Sequence, residues 1–300
     1  MRTDMSAMTA FESYMERIGS GGRLSPEEVH DLSGTPDILS LGMLADAVRR
    51  RLHDTRVTFL RVAELPFDGV AGAGVPTAAR EVRLTGAPEG LDAAAASVEV
   101  VKGVSGQRSV AGFSWADVDR WSAGTSHERV LERLRQAGLD AIAELPLDLI
   151  DDAPAAVQKM AGAGFRQLRL TIAKAPADAR TGLLLRASEL HERFGVIQLL
   201  NPLPTVVSAF RPTTGYEDVK MVALARLAAP GVPSIQVDWR RYGPKLAQVA
   251  LTFGADDLDG ISPSDEAPQG RRRAPRAEIE RNVQAAGLSP AERDGWFHLV

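Results

Sequence analysis

A chain of 300 residues with 44% hydrophobic residues is long enough for one large α/β domain or two modest ones, and too apolar to be disordered throughout. Its net charge of −4 argues against a general nucleic-acid binder. There is no cysteine, which excludes disulfides and any thiol nucleophile.

The first residues, Met1 to Arg23, are polar and lack the apolar segment of a secretory signal. No run approaches the roughly 20 apolar residues of a membrane span. A cytoplasmic, bacterial protein is expected, acting on neither membrane nor nucleic acid. The N-terminal segment reads as helices. Ser25-Pro26-Glu27-Glu28 combines an N-cap, an N1 proline and early acids, and Ser33-Gly34 ends that helix. Ile38 to Leu52 sets Leu41, Leu44, Ala45 and Val48 on one face.

Val57 to Val62 then reads as a strand, and from there strands and helices alternate, the mark of parallel β–α units. Further strands are predicted over 81–84, 109–113, 140–145, 167–172, 196–200, 234–239 and 257–261. Helices are predicted over 126–136, 153–160, 176–193, 215–227 and 242–253. A polar, basic stretch follows from Ser262 to Arg276, with Arg271-Arg272-Arg273 read as a solvated loop. The tail, 277–300, holds one more short helix.

Six or so parallel units predict an α/β fold, a partial (β/α) TIM-like barrel, with an open Rossmann-like sheet as the alternative. A barrel carries its function at the C-terminal ends of its strands. Residues 1–56 are N-terminal helices packed on the barrel, 57–261 the barrel and 262–300 a C-terminal extension, within one structural domain.

Few motifs carry chemistry. His30, His53, His127, His191 and His298 show no metal-ligand spacing. Asp256, Asp257 and Asp259 cluster at a strand start; a structural role is favoured over Mg²⁺ binding. Gly69, Gly72 and Gly74 lack the companions of a phosphate loop, and no G-x-S-x-G elbow is present. Glu144 and Asp238, near strand ends, are candidates for acid–base work.

The stretch Tyr242-Gly-Pro-Lys-Leu-Ala-Gln-Val-Ala-Leu-Thr-Phe-Gly-Ala-Asp-Asp-Leu-Asp-Gly260 resembles the C-terminal signature of the radical S-adenosylmethionine (SAM) enzymes of menaquinone biosynthesis. Pro212-Thr-Thr-Gly-Tyr-Glu-Asp218, Val222-Ala-Leu-Ala-Arg226, Ala267-Pro-Gln-Gly270 and Gly287-Leu-Ser-Pro-Ala-Glu-Arg-Asp294 extend the likeness. So does Leu44-Ala-Asp-Ala-Val-Arg49 followed by Val57-Thr-Phe59. The pattern is closest to aminofutalosine synthase, and more distantly similar to dehypoxanthine futalosine cyclase and the deazaflavin-forming synthases.

That resemblance implies a barrel of radical SAM type, shortened near its first unit, with a C-terminal helical tail. After the first strand the family carries C-x-x-x-C-x-x-C and a helix. Here the chain reads Ala63-Glu-Leu-Pro-Phe-Asp-Gly-Val-Ala-Gly-Ala-Gly-Val-Pro76, with no ligand and too few residues for loop plus helix. The SAM-binding glycines are eroded to Gly86-Ala-Pro-Glu-Gly90. The implied protein is a degenerate relative with no iron–sulfur cluster, and SAM binding is disfavoured.

Its expected role is that of a pseudoenzyme of the futalosine route, binding a pathway intermediate or an active paralogue, or associating with itself. The alternative is an enzyme with a redeployed pocket for cluster-free lyase or isomerase chemistry. A small aromatic carboxylate or a nucleoside is the expected ligand. The candidate pocket comprises Thr85, Glu144, Thr171, Asn201, Arg211, Asp238 and Arg240, with Arg211 or Arg240 as carboxylate clamp. The adjacency of Arg240 and Arg241 predicts that one of them points outward. A partner-binding role predicts an exposed apolar patch where the missing loop and helix once covered the barrel.

Overall fold

The computed structural model describes residues 2–72, 74–204, 215–264 and 276–300. Among these residues three helices come first, α1 (Arg2–Gly19), α2 (Pro26–Ser33) and α3 (Ile38–His53). The start of α2 follows from its sequence. Ser25 Oγ accepts the Glu28 N–H at 3.2 Å and the Glu28 carboxylate accepts the Ser25 N–H at 2.7 Å, so two otherwise orphaned donors are satisfied. The apolar stripe of α3 is buried as its spacing predicts.

Eight parallel strands follow: β1 (Arg56–Pro66), β2 (Glu81–Thr85), β3 (Ser109–Ser114), β4 (Ala141–Pro146), β5 (Leu168–Thr171), β6 (Ile197–Asn201), β7 (Ser234–Asp238) and β8 (Asp257–Ile261). Each pairs with the next, and β8 pairs back onto β1, so the ring of strands is closed. The crossovers are α4 (Leu91–Ser105), α5 (Trp115–Trp121) with α6 (His127–Ala137), α7 (Ala153–Gly162), α8 (Ala177–Phe194), α9 (Tyr216–Ala228), and α10 (Trp239–Tyr242) with α11 (Pro244–Leu251). The tail supplies α12 (Arg276–Ala285) and a ninth strand, β9 (Ser289–Glu292). The N-terminal helices pack mainly through α3 on α9.

The barrel expected from the alternation is therefore present, and its first unit is the short one. Among the described residues, β1 passes to β2 through a single 3-10 turn, Phe67–Gly69, with no α-helix. Three elements differ from the sequence-based expectation. The helix α4 is apolar around much of its circumference and so shows no period. The short α5 is set by its cap, with Ser114 and Asp117 in reciprocal hydrogen bonds. The tail is not wholly helical, because β9 pairs with residues 56–59 of β1 while residues 62–66 of β1 pair with β2.

Inside the barrel, where branched aliphatic side chains usually form the packed layers, this chain places charged and polar side chains. Glu81 and Arg83 of β2, Arg169 of β5, Gln236 of β7 and Asp257 and Asp259 of β8 alternate with the buried apolar residues Val82, Leu170, Ile235, Val237 and Leu258. Arg83 meets Asp259 through two bonds of 2.8 and 3.1 Å and reaches Glu81 at 3.0 Å. Arg169 adds a bond of 3.0 Å to Glu81.

The tail closes the amino-terminal end of the barrel. Arg293 grips Asp257 with bonds of 2.6 and 2.7 Å, and its guanidinium lies 3.9 Å from the centre of the Phe297 ring. Gln167 and Arg169 donate to the carbonyls of Trp296 and Gly295. Only glycine fits at 295, since a Cβ there would come within 1.8 Å of Ser109 Oγ.

Candidate functional site in the barrel mouth

At the other end the strands open on a cavity of about 520 Å³. It is lined by Glu64 from β1, Arg83 and Thr85 from β2, Glu144 from β4, Asp238 from β7, and Arg240 and Arg241 from α10, with Ser114 and Asp117 at its rim. These positions follow from the strand alternation, which turns Glu64, Arg83, Thr85 and Asp238 toward the same interior.

The cavity's charges are mutually engaged. Arg240 forks onto Glu64, with one bond of 2.7 Å and a second, shorter contact. Arg241 reaches Glu144 at 3.2 Å and lies 3.7 Å from Asp238. Asp238 also caps α10 by accepting the backbone N–H groups of Arg240 at 2.8 Å and Arg241 at 3.0 Å. Burial pushes the Asp238 carboxyl above the usual carboxylate range, and the negative Asp259 beneath it adds to the shift. Asp259 itself goes the other way. Burial would raise it, but Arg83 outweighs burial and holds it well below that range.

Of the residues singled out from the sequence, Thr85, Glu144, Asp238 and Arg240 line this one cavity. Thr171 and Asn201 lie side by side at the ends of β5 and β6, both buried and outside the cavity's lining. Arg211 and the Arg271–Arg273 run fall outside the described residues. The expectation that one of Arg240 and Arg241 points outward is corrected. Both line the cavity, Arg240 paired with Glu64 and Arg241 with Glu144.

Glu64, Arg83, Arg241 and Asp117 were not legible as site residues, although inward alternation along β1 and β2 was the available signal for the first two. The carboxylates of the Asp256–Asp259 cluster are taken up in ion pairs: Asp256 contacts Arg226, Asp257 binds Arg293 and Asp259 binds Arg83.

The barrel mouth is where the resemblance implies an iron–sulfur cluster with SAM. The donor set does not fit a cluster. Between β1 and β2, residues 67–80 offer one carboxylate, Asp68, and no thiol. Among the described residues, no three His, Cys, Asp or Glu side chains gather as a metal site. The face of Gly86 is taken by the Phe67 ring, 3.1 Å from where a Cβ would stand. No helix of the described residues is long and apolar enough to cross a membrane.

Residues 201–299 match the family model of the CofH/MqnC C-terminal region. The chain is 24% identical to the cyclic dehypoxanthine futalosine synthase of Streptomyces coelicolor, across 99% of this chain and 90% of that protein. It is also 24% identical to the aminodeoxyfutalosine synthase of Thermus thermophilus, across 95% of this chain and 94% of that protein. It is 28% identical to the 5-amino-6-(D-ribitylamino)uracil–L-tyrosine 4-hydroxyphenyl transferase of Archaeoglobus fulgidus, but the match spans only 60% of this chain and 61% of the transferase.

Solved structures share the fold. The FeFe-hydrogenase maturase HydG from Carboxydothermus hydrogenoformans superposes with a TM-score of 0.66 at 14% identity, over 97% of this chain and 81% of that one. Methylornithine synthase (PylB) gives 0.63 at 14% identity, over 93% and 97%. Residues 201–299 thus match the CofH/MqnC C-terminal region, and nearly the whole chain, which has no cysteine, is similar to a cyclic dehypoxanthine futalosine synthase and an aminodeoxyfutalosine synthase.

Proposed function

We propose that this protein is a cluster-less pseudoenzyme of the futalosine route to menaquinone, holding a pathway intermediate in the barrel mouth. One observation carries the reading: a polar cavity of about 520 Å³ remains at the strand ends, while the segment that bears the cluster ligands in the resembled family is a thiol-free turn. The cavity's cations are already matched by Glu64, Glu144 and Asp259, so it suits a ligand with hydroxyl or amide groups more than a strongly charged one. SAM is not expected among its ligands, because Phe67 covers Gly86.

The test is calorimetry with native mass spectrometry on the purified protein, against aminodeoxyfutalosine, dehypoxanthine futalosine, the enolpyruvyl benzoate and SAM. A pathway compound bound without iron, with SAM silent, is the expected result. If nothing binds, the intermediate-holding role is lost, and capture of an active futalosine-pathway synthase becomes the remaining form of the proposal.

A second reading is a redeployed enzyme doing lyase or isomerase chemistry. It is favoured by Asp238, a cavity carboxyl inclined to keep its proton, linked through Arg241 to Glu144. In that case Asp238→Asn abolishes turnover of a pathway compound while leaving its binding intact.

A further inference from the structure

The sector of the mouth formed by β5, β6 and β7 lies beside the cavity already described. Arg180, in the first turns of α8, is 1% exposed. Its Nε donates to the carbonyl of Ala175 at 2.9 Å, after β5, and its Nη1 to the carbonyl of Leu203 at 2.6 Å, after β6. Its Nη2 has no partner. Among the described residues no carboxylate forms an ion pair with it.

The neighbouring acids and hydroxyl are otherwise engaged. Asp148 accepts the backbone N–H groups of Ala173, Lys174 and Ala175 at 2.9, 2.6 and 2.7 Å. The Tyr242 hydroxyl donates to the carbonyl of Pro202 at 2.6 Å. Burial lowers the Arg180 guanidinium from its ordinary value, and Tyr242, Asp218 and Asp148 do not make up the difference. A buried cation held by two neutral carbonyls is a costly arrangement that an anion would relieve.

Three more buried polar atoms without partners fall in the same sector: Thr171 Oγ1, Asn201 Oδ1 and Trp239 Nε1. The direction of Asn201 is fixed from the barrel base. Asp257 takes the Gln236 Nε2–H at 2.7 Å, so Gln236 presents Oε1 to Asn201 Nδ2 at 3.3 Å, and Asn201 Oδ1 is left as a bare acceptor. Arg180 and Trp239 can only donate, Asn201 Oδ1 can only accept, and Thr171 can do either.

We propose that Arg180, with Thr171, Asn201 and Trp239, forms an oxyanion subsite of the barrel mouth, taking a carboxylate or phosphate group whose neighbouring hydroxyl donates to Asn201. The proposal rests on the reading of the mouth as a ligand pocket. It moves the anion clamp from Arg240, which Glu64 already neutralises, to a buried guanidinium whose Nη2 has no partner.

The test is thermal unfolding and calorimetry with 3-hydroxybenzoate and glycerol 3-phosphate, each an oxyanion beside a hydroxyl, at matched ionic strength. The uncharged 3-hydroxybenzyl alcohol serves as control. One anion is expected to raise the unfolding midpoint and the alcohol to leave it unchanged; which anion acts distinguishes carboxylate from phosphate. Arg180→Met is expected to weaken that anion at least about tenfold, the scale of one charge-assisted contact. Thr171→Val is expected to weaken it less.

Should Arg180→Met not fold, Arg180→Lys keeps the charge, loses the forked geometry, and is expected to weaken binding on the same scale. Neither anion acting on the wild type, or full binding by the Arg180 variants, overturns the subsite. Futalosine compounds binding Arg180→Met as tightly as wild type would remove the subsite and leave the pseudoenzyme reading standing. Anion probes binding with every futalosine compound silent would do the reverse.

Discussion

Asp238 and Asp259 sit one above the other in the mouth and shift in opposite directions although burial raises both, because Asp259 has the Arg83 guanidinium hydrogen-bonded directly onto it. Their effects on stability therefore differ in sign. For Asp259 and Glu81, whose folded pKa values are depressed by Arg83 and Arg169 despite burial, the stabilisation is present above the unfolded carboxylate range and is lost as pH falls. For Asp238, whose folded pKa is raised, the stabilisation is full at acid pH and is lost as pH rises through that value. Asp238→Asn keeps the cap acceptor and removes the charge. Near neutral pH the variant is expected to be more stable than wild type, because it removes a carboxylate charge that burial and Asp259 disfavour. The difference should close below about pH 4. Urea unfolding at the two pH values measures both, and equal midpoints near neutrality would show that the carboxylate carries no penalty.

Among the elements, β9 has the largest structural consequence for the least sequence signal. The Arg293–Asp257 pair it brings is buried on both sides. Removing one partner leaves a buried charge, and Arg293→Met is expected to cost about 3–5 kcal/mol in urea unfolding. The double variant Arg293→Met with Asp257→Asn should recover part of that loss; no recovery would mean the cost lies in the lost Phe297 contact instead.

The same element shows where legibility ended. Strands such as Ala141–Pro146 and Ile197–Asn201 announce themselves as short, mostly apolar runs after helix-ending glycines. Ser289-Pro-Ala-Glu292 has no strand-forming residue and is held by its register on β1, which no local pattern encodes. Thr85, Glu144, Asp238 and Arg240 were legible as strand-end polar residues, while Arg180 reads as an ordinary helix arginine until the fold turns it inward.

At the scale of the whole molecule, the barrel closed by its own tail at the base keeps an open mouth whose residues do not fit a cluster. Two separate changes stand in the way, the missing thiols and the missing loop and helix, and they can be told apart. Asp68→Cys, Gly72→Cys and Val75→Cys together restore the C-x-x-x-C-x-x-C spacing without restoring length. Gly72 has φ +77°, a conformation that strains any residue with a Cβ, and the Phe67 ring stays packed over Gly86. The triple variant is therefore expected to bind no stoichiometric iron–sulfur cluster after anaerobic treatment with iron and sulfide, as judged by iron and sulfide content and visible absorption. Four irons per chain would show that the thiols alone were lacking. Without them, the loss lies in the backbone between β1 and β2, and the open mouth belongs to chemistry or binding that needs no cluster.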